Sequence, residues 1–417
     1  MSQQYPKVEF STLREKLKAG HEQTVDALIR ISPPEPERLT ERTPLNLSLV
    51  IDRSGSMGGE KISRAREAAI YCVEQMLPSD LLSVVIFDEH IDVLFPSEPV
   101  KNKDSMKSLI SRVRARGSTA LHEAWVRGGL TISEQLLANG INRVILLTDG
   151  LANVGLTNSD EIVSQAMELF SRGVSTSTIG IGDDFNEDLL LQMAQSAGGN
   201  AWHVVEPNDM QRIFEVELDG LAAQFAHTVS LSLIPADGVS IVSVLNDFDL
   251  TETGRYRLPN LLSGSPLEIV VQLKVGAQAV GSRLRLLDLR LGFTPQGEKS
   301  AEVLKSAHTV EFIDAATWEN LVVNNNVVKA VQFLMNARAR REAMLEIDAG
   351  NYAAAISTLG RSLKMTEAAC SAFMNESAVL DECASLEEVQ MSLMDRVKDK
   401  MSRKKLAYAA YSRRSSR

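Results

Sequence analysis

The sequence predicts a doubly wound α/β domain inserted between the strands of an antiparallel β-sandwich and followed by an α-helical region. Three observations carry this. From Leu45 to Asp219 short apolar runs alternate with segments of helical period, the pattern of a parallel sheet flanked by helices. On either side of that stretch the period falls to two, with turn residues between the runs, as antiparallel strands with one buried face require. Beyond Ala315 the helical period returns. A chain of 417 residues exceeds what one hydrophobic core supports. The expected units are therefore residues 1–43, the first strands of the sandwich; 44–225, the α/β domain; 226–314, the rest of the sandwich; and 315–417, a helical region with a basic tail.

Taken in order, Val8–Lys18 and Thr24–Ile31 read as strands, and Ser32-Pro33-Pro34-Glu35-Pro36 as the exit from the sandwich. Two strands do not form a stable unit alone, so they are expected to join the later ones. Leu45–Ile51 reads as a buried strand. The helix after it carries Ile62, Ala65, Ala69, Val73 and Met76 on one face and stops at Leu77-Pro78, because proline disfavours helix in the residue before it. Leu82–Phe87 and Ile91–Phe95 form an edge hairpin. Strands at Arg143–Leu147, Val174–Ile181 and Trp202–Val205 then alternate with helices at Ala120–Leu137, Ile162–Phe170, Leu189–Ala197 and Asn208–Phe225, giving roughly six strands. Asn208 and Gln211 resemble a capping box. Strands follow at Ala226–Pro235, Val239–Leu245, Arg255–Leu258, Leu267–Val275, Ser282–Phe293 and His308–Ile313, and helices at Leu321–Ala343, Tyr352–Met365 and Leu386–Tyr408.

Charge and composition exclude several function classes. The net charge of -10 argues against a protein built to coat nucleic acid, which needs a basic surface to displace counterions. From Met391 to Arg417 nine Lys and Arg stand against two Asp and Glu, so a basic end follows an acidic body; the end reads as a solvated, partly disordered tail. The start lacks the apolar run of a signal peptide, and no stretch approaches the roughly 20 apolar residues of a membrane helix. Cys72, Cys370 and Cys383 make no disulfide framework, and the expected location is the cytoplasm.

The chemistry lies at three strand ends. Asp52, Ser54 and Ser56 alternate in Ile51-Asp52-Arg53-Ser54-Gly55-Ser56-Met57, where the carboxyl ends of parallel strands form the ligand crevice. Gly117-Ser118-Thr119-Ala120-Leu121 and Leu147-Thr148-Asp149-Gly150 bring Thr119 and Asp149 to the same edge. An oxygen-only set with two carboxylates suits Mg²⁺ or Mn²⁺, with Ca²⁺ ranked below them, rather than zinc, which favours nitrogen and sulfur. So few negative ligands leave the ion attractive to one more anion, and an acidic residue of a protein partner is the natural sixth ligand.

These motifs resemble the metal-ion-dependent adhesion site of von Willebrand factor A domains, of the bacterial intracellular type. The likeness runs from about Pro44 to Gly220, and all five ligand positions match: Asp52, Ser54, Ser56, Thr119 and Asp149. It implies a Rossmann-like α/β fold, a bound divalent metal and a role in protein–protein interaction without catalysis. The alternatives are a regulatory subunit of an AAA-type ATPase, or a hydrolase using the same metal site. The sequence sets no oligomeric state.

Other signals fall away. Gly55–Ser63 sits where a phosphate loop would, but Glu60 replaces the glycine before Lys61. Gly180-Ile181-Gly182 lacks the third glycine of a dinucleotide turn. His21, His90, His122, His203, His227 and His308 form no pair at metal-binding spacing. A serine nucleophile needs a base within reach, and His122 is the only histidine in a neighbouring strand-end loop.

Overall fold

The computed structural model describes residues 5–35, 43–298, 300–394 and 399–414. They fall into two compact units, Arg38–Gln224 with Gln296–Glu298, and Met1–Glu37 with Phe225–Pro295 and Lys299–Arg417. The division at Gln224/Phe225 lies one residue before the expected one. Pro36, the last residue of the expected exit segment, lies outside the described residues.

The α/β unit is built on a six-stranded sheet in the order Ile91–Pro99, Leu81–Phe87, Leu45–Asp52, Ile141–Thr148, Ser175–Ile181, Gly198–Val204. All neighbours run parallel except Ile91–Pro99, which pairs antiparallel with Leu81–Phe87 at the edge. Every residue of the four central strands is buried, polar ones such as Asn46, Ser83, Asn142 and Thr176 included, because helices cover both faces. Leu45, Leu47, Leu49 and Ile51 share a core with the helices Glu60–Gln75, Lys103–Ser111 and Met210–Ala222. Val50 faces the other way, towards the helix Leu121–Ser133. That helix comes so close that a Cβ on Gly128 would stand 2.4 Å from Val50 Cγ2, so only glycine fits there.

The second unit holds two sheets. In the first, Gln23–Ser32 lies between Lys7–Thr12 and Leu267–Val275, with Val239–Val244 beyond, all antiparallel. The second runs Tyr256–Arg257, Gln224–Pro235, Arg283–Pro295, Glu302–Ile313, with Leu17–Lys18 added in parallel at its edge. Alternate residues of the two sheets meet in one core: Ala27, Ile29, Ile269 and Val271 from the first, Leu231, Leu289 and Leu291 from the second. Leu28 and Val270, on the opposite face of the first sheet, are also buried, because Val327, Ala330 and Leu334 of the helix Asn325–Asp348 cover them. The helical region thus shares a compact unit with the sheets.

Several elements depart from the sequence reading. Val8–Lys18 is not one strand but Lys7–Thr12 and Leu17–Lys18, which join different sheets. Lys103–Ser111 is an unforeseen helix, capped by the Asn102 side chain, which accepts from the Ser105 N–H. Its only fully buried apolar residues are Met106 and Ile110, too few to show a period. The helix expected at Ala120–Leu137 spans Leu121–Ser133. The Asn208 capping box does not form: Pro207–Asp209 is a 3-10 turn and the helix begins at Met210. Leu386–Tyr408 divides into Ser377–Met394 and Asp399–Arg414, with 395–398 outside the described residues.

The basic end is not a solvated tail over its described residues. Asp399–Arg414 packs against Asn325–Asp348, with Leu406 and Ala410 buried. Its cations meet carboxylates far away in sequence: Arg403 with Asp348, Lys405 with Glu388, Arg413 with Glu382 and Arg414 with Asp249. Among the described residues no helix is long and apolar enough to cross a membrane.

Two outcomes follow from the two-sheet unit. A chain beginning at Pro44 lacks Gln23–Ser32, a central strand, and strips Leu267–Val275 of its neighbour. It should show a separate low-temperature calorimetric transition or aggregate, and a melting profile and monodispersity equal to the full chain's would contradict this pairing. His308 stacks on Phe10, with ring centroids 3.9 Å apart, and burial lowers its pKa from 6.5 to about 4. A base depressed in the folded state keeps its contribution above the unfolded value and loses it as pH falls from 6.5 towards 4. Urea unfolding of His308→Leu should therefore lose less stability between pH 7 and pH 4.5 than wild type; parallel losses would remove His308 as the cause.

Candidate metal centre

The site forms where the central strands Leu45–Asp52 and Ile141–Thr148 end side by side, with strands built outward from them on both flanks. Ligand crevices of open parallel sheets lie at such points, because the chain leaves the two strands in opposite directions. Asp52 ends the first strand and is fully buried. Its Oδ2 accepts from Thr148 Oγ1 at 2.6 Å and its Oδ1 from the Ser54 N–H at 2.7 Å. Ser54 Oγ lies 3.1 Å from Ser56 Oγ, and Ser56 Oγ donates to Asp149 Oδ1 at 2.8 Å. A continuous chain of oxygens therefore runs from Asp52 through both serines to Asp149, which is also fully buried. A Cβ built on Gly150 would stand 3.2 Å from Thr119 Oγ1 and 3.8 Å from Asp52 Oδ2, so Thr119 faces the same spot. All five residues singled out in the sequence are brought together.

Backbone bonds hold the three loops in register. The Gly55 N–H donates to Gly117 O at 3.0 Å and the Arg116 N–H to Arg53 O at 2.6 Å, tying the first loop to the second. The Thr119 N–H donates to Asn153 Oδ1 at 3.0 Å and the Asn153 N–H returns to Thr119 O at 3.3 Å, tying the second to the third. Gly117 sits at φ +74°, and a Cβ there would fall 1.9 Å from Glu89 Oε2, so both its conformation and its neighbours demand glycine.

The donors are two carboxylates and three hydroxyls, without nitrogen or sulfur. That set fits a hard divalent cation. Electrostatics point the same way. Burial raises the Asp52 pKa from 3.8 to about 6, against the hydrogen bonds from Thr148 and Ser54 that favour its charge, and the neighbouring Asp149 adds to the rise. Lys61, whose Nζ lies 2.6 Å from Asp149 Oδ2, is the cation directly paired there.

A second acidic group lies behind the first loop. Asp88, Glu89 and His90 bring donor atoms within 4.8 Å of one another, the group of this kind found among the described residues. Asp88 is already matched, at 3.0 Å from Arg53 Nε and 2.7 Å from Arg116 Nε, while Glu89 accepts from the Ser118 N–H. Although burial works to raise the Asp88 pKa, Arg116, the His90 N–H and Arg53 hold it below the ordinary value. Two guanidiniums thus hold Asp88, a main-chain N–H holds Glu89, and the group buttresses the loops. Sequence reading missed Lys61, Thr148, Arg53, Asp88 and Arg116. Thr148 and Arg53 lay inside the motifs themselves, and the unused signal for Lys61 was a cation in the first turn of a helix.

Residues 46–216 match the von Willebrand factor type A domain. The α/β unit is a von Willebrand factor type A domain. An uncharacterised protein of Synechocystis is 30% identical over 208 residues, covering 48% of this chain and 48% of that protein. Human inter-alpha-trypsin inhibitor heavy chain H4 is 31% identical over 182 residues, covering 42% of this chain and 20% of its own length. The chain thus spans less than half the length of these relatives. Two solved structures share the fold over nearly the whole chain. A von Willebrand factor type A protein of Catenulispora acidiphila has TM-score 0.69 at 18% identity, covering 96% of this chain and 97% of its own. The ArnB paralog VWA2 of Sulfolobus acidocaldarius has TM-score 0.60 at 16% identity, covering 98% and 99%. Type A domains are interaction modules, often dependent on a divalent metal.

An acid whose folded pKa lies above its unfolded value costs stability as pH rises between the two, here from 3.8 towards 6, because the folded state holds the proton longer. Asp52→Asn removes that cost. In chelator at pH 7 it should stabilise the type A domain by on the order of 1–3 kcal/mol. Chemical denaturation at pH 7 checks this, and a variant less stable than wild type would contradict the strained carboxylate.

Proposed function

We propose that the chain binds a protein partner through Mg²⁺ or Mn²⁺ held by Asp52, Ser54, Ser56, Thr119 and Asp149, with a carboxylate of the partner completing the ion's shell. The observation that carries this is the convergence of two fully buried carboxylates and three hydroxyls from two strand-end loops and from the segment 112–120, which joins the helices Lys103–Ser111 and Leu121–Ser133 rather than following a strand as expected. Asp52 and Asp149 would supply the charge, and Ser54, Ser56 and Thr119 neutral oxygens. A divalent ion with two charged ligands is neutralised without being saturated, so an incoming carboxylate is attracted rather than repelled. Bound there, the ion acts as a Lewis acid towards one anionic group.

We infer that the site binds rather than reacts. Ser56 is hydrogen-bonded to Ser54 and Asp149, and the His122 imidazole places Nε2 2.8 Å from Gln165 Oε1, so the pairing that would activate a serine is replaced by others. The cytoplasm is the proposed location, supported by the low cysteine content, three residues that are all buried in helical packing.

Titration calorimetry with Mn²⁺ and Mg²⁺ on the full chain tests the metal. Thr119→Ala and Asp52→Asn should bind about tenfold or more weakly, a loss of roughly 1.4 kcal/mol or greater, with the fold intact by circular dichroism. Affinity unchanged in both variants would refute the assignment. Partners captured on immobilised chain in Mg²⁺ should be lost in chelator and on Thr119→Ala; capture indifferent to both would remove the metal from recognition.

A further inference from the structure

Lys61 occupies an odd place. It follows Glu60 in the first turn of the helix Glu60–Gln75, where the helix dipole favours anions and disfavours an ammonium. Its side chain is about a quarter exposed, yet its Nζ reaches 2.6 Å from Oδ2 of the fully buried Asp149. The other oxygen of that carboxylate accepts from Ser56 Oγ. The ammonium is therefore the charge that neutralises Asp149 in the absence of any other cation.

From this geometry we propose that Lys61 is a tethered counter-cation that exchanges with the metal: it holds Asp149 while the site is free of metal and must yield its charge interaction when the ion enters. The proposal rests on the metal reading above and adds how occupancy is set. A lysine suits the part. Its ammonium is a compact point charge on a flexible four-carbon stem, which swings out of a pair more readily than an arginine fork leaves a bidentate one. Partial exposure gives it a route to water, where its charge is solvated once released. Two consequences follow. The metal-free site is protected from the repulsion of Asp52 and Asp149, and metal affinity is held down because binding opposes a pre-existing ion pair. Occupancy then responds to cation concentration and to a partner carboxylate that adds attraction for the ion.

The test compares the full chain with Lys61→Met, Lys61→Gln and Lys61→Arg. Met keeps the stem without the charge, Gln keeps a donor without the charge, and Arg keeps the charge. Mn²⁺ affinity is read by calorimetry, and melting temperature is read in chelator. Lys61→Met and Lys61→Gln should bind Mn²⁺ about tenfold more tightly than wild type while melting at lower temperature in chelator; Lys61→Arg should stay near wild type in both. A residue with a purely structural role would lower the melting temperature without tightening metal binding. If wild type binds Mn²⁺ and the neutral variants bind it equally or more weakly, the exchange proposal is overturned and the metal site stands. If none of the four proteins binds Mn²⁺, the exchange and the metal reading fail together. Binding by the neutral variants alone supports the exchange in its strongest form.

Discussion

Two carboxylates buried together where the two middle strands of the sheet end set the terms for the rest of this type A domain. Asp52 and Asp149 are both closed off from solvent and tied through Ser54 and Ser56. Burial is the largest cause that raises the Asp52 pKa to about 6, with the charge of Asp149 adding to the rise and hydrogen bonds from Thr148 and Ser54 opposing it. Such an arrangement persists only if the surrounding fold holds it in place and some cation offsets it. The parallel sheet does the first, because two adjacent strands of its centre end where the two aspartates stand. The loops are then fixed by main-chain bonds between Gly55 and Gly117 and between Arg116 and Arg53, so that the oxygens do not relax away from each other.

Much of this was legible in the sequence. The central strands show where apolar residues dominate them, as in Leu81–Phe87, and Asp52, Ser54, Ser56 and Asp149 follow from their positions just at or after strand ends, whereas Thr119 lies in 112–120 between two helices and was legible only through its motif. What escaped has physical causes. Gln23–Ser32 is recognisable by alternation alone, whereas the break between Thr12 and Leu17 depends on two different sheets claiming the two halves. Lys103–Ser111 is short and owes its start to one side-chain cap. Asn208 fails as a cap because Pro207–Asp209 forms its own turn first. The basic end misled because the partners of Arg403, Arg413 and Arg414 lie between 31 and 168 residues away in sequence, as with Arg413 to Glu382 and the Asn246 bond to Arg414 O.

Lys61 shows the same limit from the other side. In the sequence it follows Glu60, the residue that rules out a phosphate loop, and its neighbours do not name its partner. Only the fold brings the start of the helix Glu60–Gln75 to the loop after Ile141–Thr148, 88 residues further on. The oddity of a cation in a first helical turn was the available signal, and it gained meaning once Asp149 was seen beside it.

The way this chain treats its other buried charges marks the metal centre as different in kind. Glu217 is met by the Arg143 guanidinium at 2.9 Å and by Ser177, Asn200 and Trp202. Despite complete burial, its pKa is lowered, first by Arg143 and then by those donors. Glu382 is held by Arg340 at 2.7 Å and Arg413 at 2.9 Å. Asp80 takes the N–H groups of Leu45 and Leu77. In each case fixed donors match a single carboxylate, with planar guanidinium forks or main-chain groups that do not leave. At the strand ends two carboxylates stand together, with one flexible ammonium directly paired to the pair. Glu217, Glu382 and Asp80 are thus each matched by fixed donors, whereas Asp52 and Asp149 together have one ammonium directly paired to them, and this shortfall of positive charge is what the proposed ion would offset.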